Sequence, residues 1–430
     1  MPVSDRLSRA SVLAYAAGSF GTGVFSTVPT VLLLYFCTEI LGIAPAWAAV
    51  LVVAPKLWSI VWDPFVGAWS DRTVTRLGRR RPFLIAGTVG VAVSFVAVFS
   101  PPSLDPAGLL IWTGVSYFAL ATLYSLFAVP YVALPAQIGQ QPEERARLVT
   151  WRMGVVMMGV LAGAGAAPML VEAAGGGRGG YAVMSMIIAG ACAVAMAGPI
   201  LMLRGRDPVS ARREGPTPRL WDQLARALRH GRFRLLIAAY LAQLTGTGAV
   251  SAAIPYLVTK ALGRSEGDIG VAMIAMLGAT TLAVPLWAMA GRRWGESRAL
   301  AGAAILFAVV ATGVGVASLA GWSWPVVLVL FALAGLPFGG MQVLPFTLVA
   351  HLVHAEAGGS GDEGVFTGVW TATEKLGLAL GPSITGLALV VAANDVRGLA
   401  MFVIVGPGLL ALASLPFLAL AGAARKTHTR

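Results

Sequence analysis

Apolar residues run through this chain in long blocks rather than in alternation. Phe83 to Leu104, Gly179 to Leu203, Leu235 to Thr259 and Leu399 to Ala424 each pass without one charged residue. About 20 such residues suffice for a helix to cross a hydrocarbon core of roughly 30 Å. Twelve helices of this kind are predicted, near 11–36, 46–69, 83–100, 108–134, 148–171, 181–203, 234–259, 268–290, 298–319, 324–350, 366–391 and 399–421. The first block is too long for a signal-peptide core and lacks a small-residue cleavage site, so it is expected to stay as a helix. The longest polar interval, 204–233, divides six segments from six. Its proline-rich start predicts irregular chain, whereas Leu220, Leu224 and Leu228 among arginines predict an amphipathic helix on the membrane surface, with a plain solvated tether as the alternative.

The expected fold class is therefore all-α, a membrane protein with twelve transmembrane helices. Composition agrees: 57% of the 430 residues are hydrophobic and only 12% charged, against about 25% charged in soluble domains. The net charge of +12 would suggest nucleic acid in a soluble protein, but here the cations follow the loops. Arg72, Arg76, Arg79, Arg80 and Arg81 follow the second segment, Arg145 and Arg147 the fourth, Arg292, Arg293 and Arg298 the eighth, and residues 204–234 carry nine arginines against three acids. The other set of loops is nearly free of them, so the bias places both termini in the cytoplasm and removes any need for a nucleic-acid partner. Cys37 and Cys192 lie far apart in apolar surroundings and imply no disulfide framework. His351 and His354 lack the further ligands of a metal site. With no phosphate loop after a strand and no nucleophile elbow, an enzyme is not expected, nor is a cofactor.

Two echoes connect the halves. WSDRTVTRLGRRR after the second segment is answered by WAMAGRRWGESR after the eighth, and AVPYVALPAQI in the fourth by GGMQVLPFTLVAHL in the tenth. Their matching order predicts two pseudo-symmetric six-helix halves, residues 1–203 and 234–430 joined by a 204–233 cytoplasmic linker, an architecture that holds its substrate near the bilayer midplane.

In the stretch VWDPFVGAWSDRTVTRLGRRRPF, residues Gly67, Asp71, Arg72, Gly78, Arg79, Arg80 and Arg81 resemble the loop signature of the major facilitator superfamily. The extended form, DR followed by GRRRP, is similar to that of the glycoside–pentoside–hexuronide:cation symporters, with melibiose permease and the sucrose–proton symporters as neighbouring branches, and occurs also in vertebrate lysolipid carriers. EERARL with Arg152, and Lys375 in the eleventh segment, match the same family in order and spacing. The resemblance implies the major facilitator fold, alternating access, a small-molecule substrate, a cation as coupling partner and a monomer in a bacterial inner membrane. Asp71 and the arginines are expected to form a gating clasp of charge-assisted hydrogen bonds that break and reform during the cycle.

Asp63 lies well inside the second segment, where a charge is expensive and faces a cavity or a partner. Ser59 and Lys56, four and seven residues earlier, share its helical face. Asp63 is the candidate coupling acid, with Lys375 as its expected counter-charge if the superfamily geometry holds; a purely structural pair is the alternative. Glu374 points about 100° away from Lys375 around the helix and is the alternative proton carrier. Candidate substrate residues are Lys56, Trp62, Tyr124, Arg152, Gln342, Trp370 and Lys375: tryptophans can stack on a sugar ring and the others can hydrogen-bond or charge-pair with a polar ligand.

Departures from the melibiose permease branch bear on cargo. Ser59, Ala128 and Gly23 stand where that branch resembles this chain but carries acids. Sodium wants several oxygen ligands, so protons are favoured as coupling ion, with sodium the alternative. The leading expectation is proton-coupled symport of a sugar or glycoside. A cation-coupled carrier of a lysolipid or other apolar metabolite is the second, and a membrane assembly or sensor protein that keeps the fold without transport is the third.

Overall fold

The structure, a computed structural model, describes residues 7–139, 141–203, 229–356 and 363–392, together with residues 406, 409, 411–415 and 419. Eleven helices among these are long and apolar enough to cross a membrane. In chain order they are α1 (Arg9–Val28), α2 (Pro45–Arg72), α3 (Arg81–Phe99), α4 (Pro106–Val132), α5 (Pro142–Leu161) and α6 (Gly177–Met202). They continue with α7 (Gly231–Tyr256), α8 (Glu266–Trp294), α9 (Glu296–Leu319), α10 (Trp324–Glu356) and α11 (Glu363–Ala392). Most of the expected twelfth segment, 399–421, and most of the 204–233 linker fall outside the described residues.

Helix ends follow local chemistry. Ser8 caps α1 by accepting from the Ser11 amide, and Asp105 caps α4 through Gly108, satisfying N–H groups that the first turn leaves open. Pro45, Pro106 and Pro142 occupy first-turn positions, where a missing N–H costs nothing. Several helices outrun their apolar blocks: α5 starts at Pro142 and takes in EERAR, and α8 runs on to Arg292, Arg293 and Trp294. Charged turns stay helical because the backbone hydrogen bonds persist where the hydrocarbon stops. α1 and α7 each continue into π-helical turns, ending at Ile40 and Ala261. Both then stop at a glycine with φ near 60–70°, Gly42 (69°) and Gly263 (61°), a backbone that side chains with a Cβ rarely adopt.

The chain divides into two compact units, Met1–Pro216 and Thr217–Arg430. Within the first, α1 packs on α5 and α6, α2 on α4, and α3 on α4 and α6. Within the second, the corresponding pairs recur as α7 on α11, α8 on α10 and α9 on α10. The helix crossings are set by glycine. A Cβ on Gly23 of α1 would lie 2.5 Å from the Val156 carbonyl oxygen of α5, and one on Gly159 would meet the Phe20 carbonyl. In the second unit, a Cβ on Gly381 of α11 would lie 2.6 Å from the Gly248 Cα of α7. Small residues let backbones approach where lipid offers no hydrophobic force to press helices together. Large apolar side chains such as Val194, Leu282 and Val391 stand exposed, as the outer faces of helices in lipid require.

A third echo becomes visible from these crossings. AYAAGSFGTGVFS (14–26) in α1 matches AYLAQLTGTGAVS (239–251) in α7, with Tyr15 answering Tyr240 and Gly23 answering Gly248. On the partner helices Arg152 precedes Gly159 by seven residues, and Glu374 precedes Gly381 by the same interval. Each unit thus places a tyrosine of its first helix beside an ionisable residue of its fifth.

Candidate functional site

The first unit gathers most of the expected polar residues between α1, α2, α4 and α5. Asp63, half-buried in the middle of α2, accepts a 2.5 Å hydrogen bond from the Ser125 hydroxyl of α4. Beside Ser125, the hydroxyl of Tyr124 donates to the Thr22 carbonyl of α1 at 3.3 Å. Tyr124 lies within electrostatic reach of both the Asp63 carboxylate and the Arg152 guanidinium. Lys56 reaches α1, its Nζ 3.4 Å from Thr30 Oγ1. Lys56 and Asp63 both turn inward, as their shared helical face predicts. Ser59 behaves differently: its hydroxyl donates to the Lys56 carbonyl at 2.7 Å, a local bond of the kind serine makes within helices.

Trp62 lies stacked on Trp58 with ring centroids 5.5 Å apart, and its indole N–H donates to the Thr122 carbonyl at 3.1 Å. Trp58 donates to Thr122 Oγ1 at 3.1 Å. Both indole nitrogens are engaged by α4, and the Trp62 ring also stacks on Phe65, ring centroids 5.1 Å apart. Behind this layer Tyr131 donates to the Tyr15 carbonyl at 2.6 Å and shares a 2.6 Å hydrogen bond with Ser19. Arg152 stands beside Tyr15, and among the described residues its Nε is buried without a hydrogen-bond partner.

The basic loop forms a clasp within the first unit. The Arg80 side chain, only 5% exposed, reaches Asp71 at 3.2 Å, and Arg79 lies 3.5 Å from the same oxygen. Arg80 also donates to the Pro130 carbonyl of α4 at 3.1 Å. That oxygen is available because the Leu134 amide bonds Tyr131 instead. Gly78 turns the loop with φ 99°, and Thr75 Oγ1 donates to its carbonyl at 2.6 Å. Gly67 makes no close approach, since a Cβ there would sit 3.5 Å from Val129. Arg72 is exposed and, among the described residues, forms no ion pair. Arg81 is half-buried at the first turn of α3.

In the second unit Lys375 and Glu374 are half-buried on α11, and Gln342 is half-buried on α10. Trp370 is 3% exposed and lies flat on Tyr240 of α7, ring centroids 3.9 Å apart. The sequence reading missed Ser125, Thr22, Tyr15, Tyr131 and Tyr240. The repeated AY–GTG–S pattern was the signal that could have drawn attention to both tyrosines. Gly23 carries no acid for a packing reason: it faces the α5 backbone, so its lack of a carboxylate says nothing about cargo. Among the described residues no group of three or more His, Cys, Asp or Glu side chains could hold a metal ion.

Eleven membrane-length helices in two units of matching helix pairing define a multi-pass integral membrane protein of the two-bundle type. The family model described as MFS/sugar transport protein matches residues 14–420, and the chain belongs to that family. Solved structures share the fold: the D-xylose–proton symporter aligns over 95% of this chain and 96% of its own, with TM-score 0.66 at 15% identity. A bacterial homologue of the human drug peptide transporters PepT1 and PepT2 aligns over 97% and 99%, with TM-score 0.71 at 12% identity. YagG of Escherichia coli (strain K12), whose name assigns it provisionally to glycoside/cation symport, is 33% identical over 172 residues, 40% of this chain and 37% of that protein. The sodium-dependent lysophosphatidylcholine symporter 1 of Xenopus tropicalis is 23% identical over 332 residues, 69% of this chain and 62% of that protein.

Proposed function

We propose that this protein is a secondary active transporter that carries a sugar or glycoside together with a proton by alternating access. The observation that carries the reading is Asp63, a carboxylate in the middle of a membrane-spanning helix, held by Ser125 with Tyr124 and Arg152 alongside. A charge at that depth is costly and marks a substrate or ion pathway. Membership of the MFS/sugar transport family and the likeness to YagG support the cargo class. A proton is favoured over sodium because Ser59, one turn before Asp63, is not an acid, and sodium wants several oxygen ligands. Lys375 and Glu374 supply further titratable charge, Lys56, Trp62, Tyr124, Arg152, Gln342 and Trp370 contact the cargo, and the Asp71–Arg80 clasp serves as a gate. The arginine-rich loops support cytoplasmic termini, a bacterial inner membrane fits the family, and a monomer suffices for the mechanism.

Uptake and counterflow in proteoliposomes test this directly. Under an imposed proton gradient the native chain accumulates a sugar or glycoside, whereas Asp63→Asn keeps exchange and loses accumulation. No uptake of any sugar under a proton or a sodium gradient would overturn the reading. A second reading, an apolar cargo such as a lysolipid, is favoured by one observation: the lysophosphatidylcholine symporter aligns over 69% of this chain, more than YagG does. Lysolipid uptake by the same vesicles decides for it.

A further inference from the structure

The tyrosine of α7 leads to a polar cluster in the second unit that the residues above do not explain. Tyr240 is 2% exposed, and among the described residues neither its hydroxyl nor the indole Nε1 of the stacked Trp370 has a hydrogen-bond partner, although both atoms are buried. Gln243, one turn further along α7 and 1% exposed, adds a third such atom. Its Nε2 donates to Ser414 Oγ at 3.1 Å, while that hydroxyl donates to the Ala411 carbonyl at 2.6 Å. The serine has one proton and spends it on Ala411, so it must accept from the glutamine nitrogen. The amide orientation is thereby determined, and Oε1 is the atom left without a donor. Glu374, four residues beyond Trp370 on the same face of α11, stands close enough to bear on the Tyr240 hydroxyl.

Folding does not favour this arrangement. Each buried polar atom without a partner is a desolvation cost left unrecovered, and apolar side chains of the same shape would pack as well without it. Tyr240 and Trp370 stack directly and Gln243 lies one turn away, so three such atoms within one unit point to a use rather than to a local packing fault.

We propose that Tyr240, Gln243 and Trp370 form a binding subsite for the hydroxyl groups of a neutral, polyhydroxylated ligand, a sugar or glycoside. The Tyr240 hydroxyl and Trp370 N–H donate, and Gln243 Oε1 accepts. A ring hydroxyl both gives and takes a hydrogen bond, so a carbohydrate satisfies all three atoms, whereas an acyl chain satisfies none. The atoms are shielded in this conformation, and alternating access opens the subsite to the ligand. The inference rests on the sugar-transport reading and adds the residues of the second unit that take hold of the cargo.

The test uses the full-length protein in detergent micelles, titrated with a panel of nitrophenyl glycosides by calorimetry, with the melting temperature measured alongside. Tyr240→Phe removes one unpartnered atom with little change of shape, whereas Gln243→Met removes Oε1 together with the Nε2 bond to Ser414. Each is expected to weaken the glycoside that the native protein binds by roughly tenfold or more, and Tyr240→Phe leaves the unliganded melting temperature unchanged or raised. A scaffold role would lower the melting temperature and leave affinity alone. Native-like affinity in both variants overturns the subsite while the transport reading stands. Affinity lost together with a collapse in melting temperature also overturns it. If the native protein binds no glycoside on the panel, the subsite fails, and the uptake measurement in proteoliposomes decides the transport reading by itself.

Discussion

At the scale of single residues, the carboxylate of Asp63 and the guanidinium of Arg80 show how neighbours decide what a charge can do. Asp63 accepts a short hydrogen bond from Ser125. Removing that donor in Ser125→Ala takes away the hydrogen bond that orients the carboxylate, so gradient-driven uptake is expected to fall by about tenfold while exchange persists. Native-like uptake in that variant would dissociate Ser125 from coupling. Arg80 differs because it serves two acceptors at once, Asp71 and the Pro130 carbonyl. Arg80→Met leaves that carbonyl without a donor, at a cost of about 1–3 kcal/mol. Its thermal unfolding should fall by several degrees, and Arg72→Met, which breaks no ion pair among the described residues, should leave it in place.

At the scale of elements, glycine separates two kinds of helix surface. Gly159 and Gly381 sit where backbones nearly touch, so Gly159→Val or Gly381→Val must push two helices apart, at a cost of about 1–3 kcal/mol or loss of folded protein. Gly114 of α4 and Gly190 of α6 have open space where a Cβ would go. Gly114→Ala is therefore expected to stabilise slightly, by up to about 1 kcal/mol, through the lower backbone entropy of alanine. Unfolding curves of the purified variants distinguish the classes. The same contrast explains what a reading of the sequence alone could reach: fifty-two glycines indicate close packing in general, but nothing in a helical run of small residues says which of them meets a neighbouring backbone.

At the scale of the whole molecule, the two units carry the same helix pairings and the same AY–GTG–S segment with different chemistry beside it, a cation at Arg152 and an acid at Glu374. Duplication supplies the scaffold and divergence supplies the charges. A transporter that draws on the proton gradient should lose accumulation when a protonophore is added and keep it when the sodium gradient is dissipated. The reverse pattern would assign the driving force to sodium and require oxygen ligands beyond Asp63 and Ser125.

Hydropathy by itself determined the number and order of the membrane-length segments described here, because the bilayer imposes one length on every crossing helix and permits few charges within it. The DR–GRRRP motif likewise marked the clasp, since an acid followed by clustered arginines has few uses at a helix end. Which residues meet was decided only in three dimensions. Ser125 joined to Asp63, Arg80 joined to Pro130, and Tyr240 stacked on Trp370 each connect helices far apart in the chain. Apolar residues cover nearly every face of these helices, so periodicity is too weak to say how each one is rotated. The rotation comes from where the backbones can touch, and that is set by the glycines of two helices together.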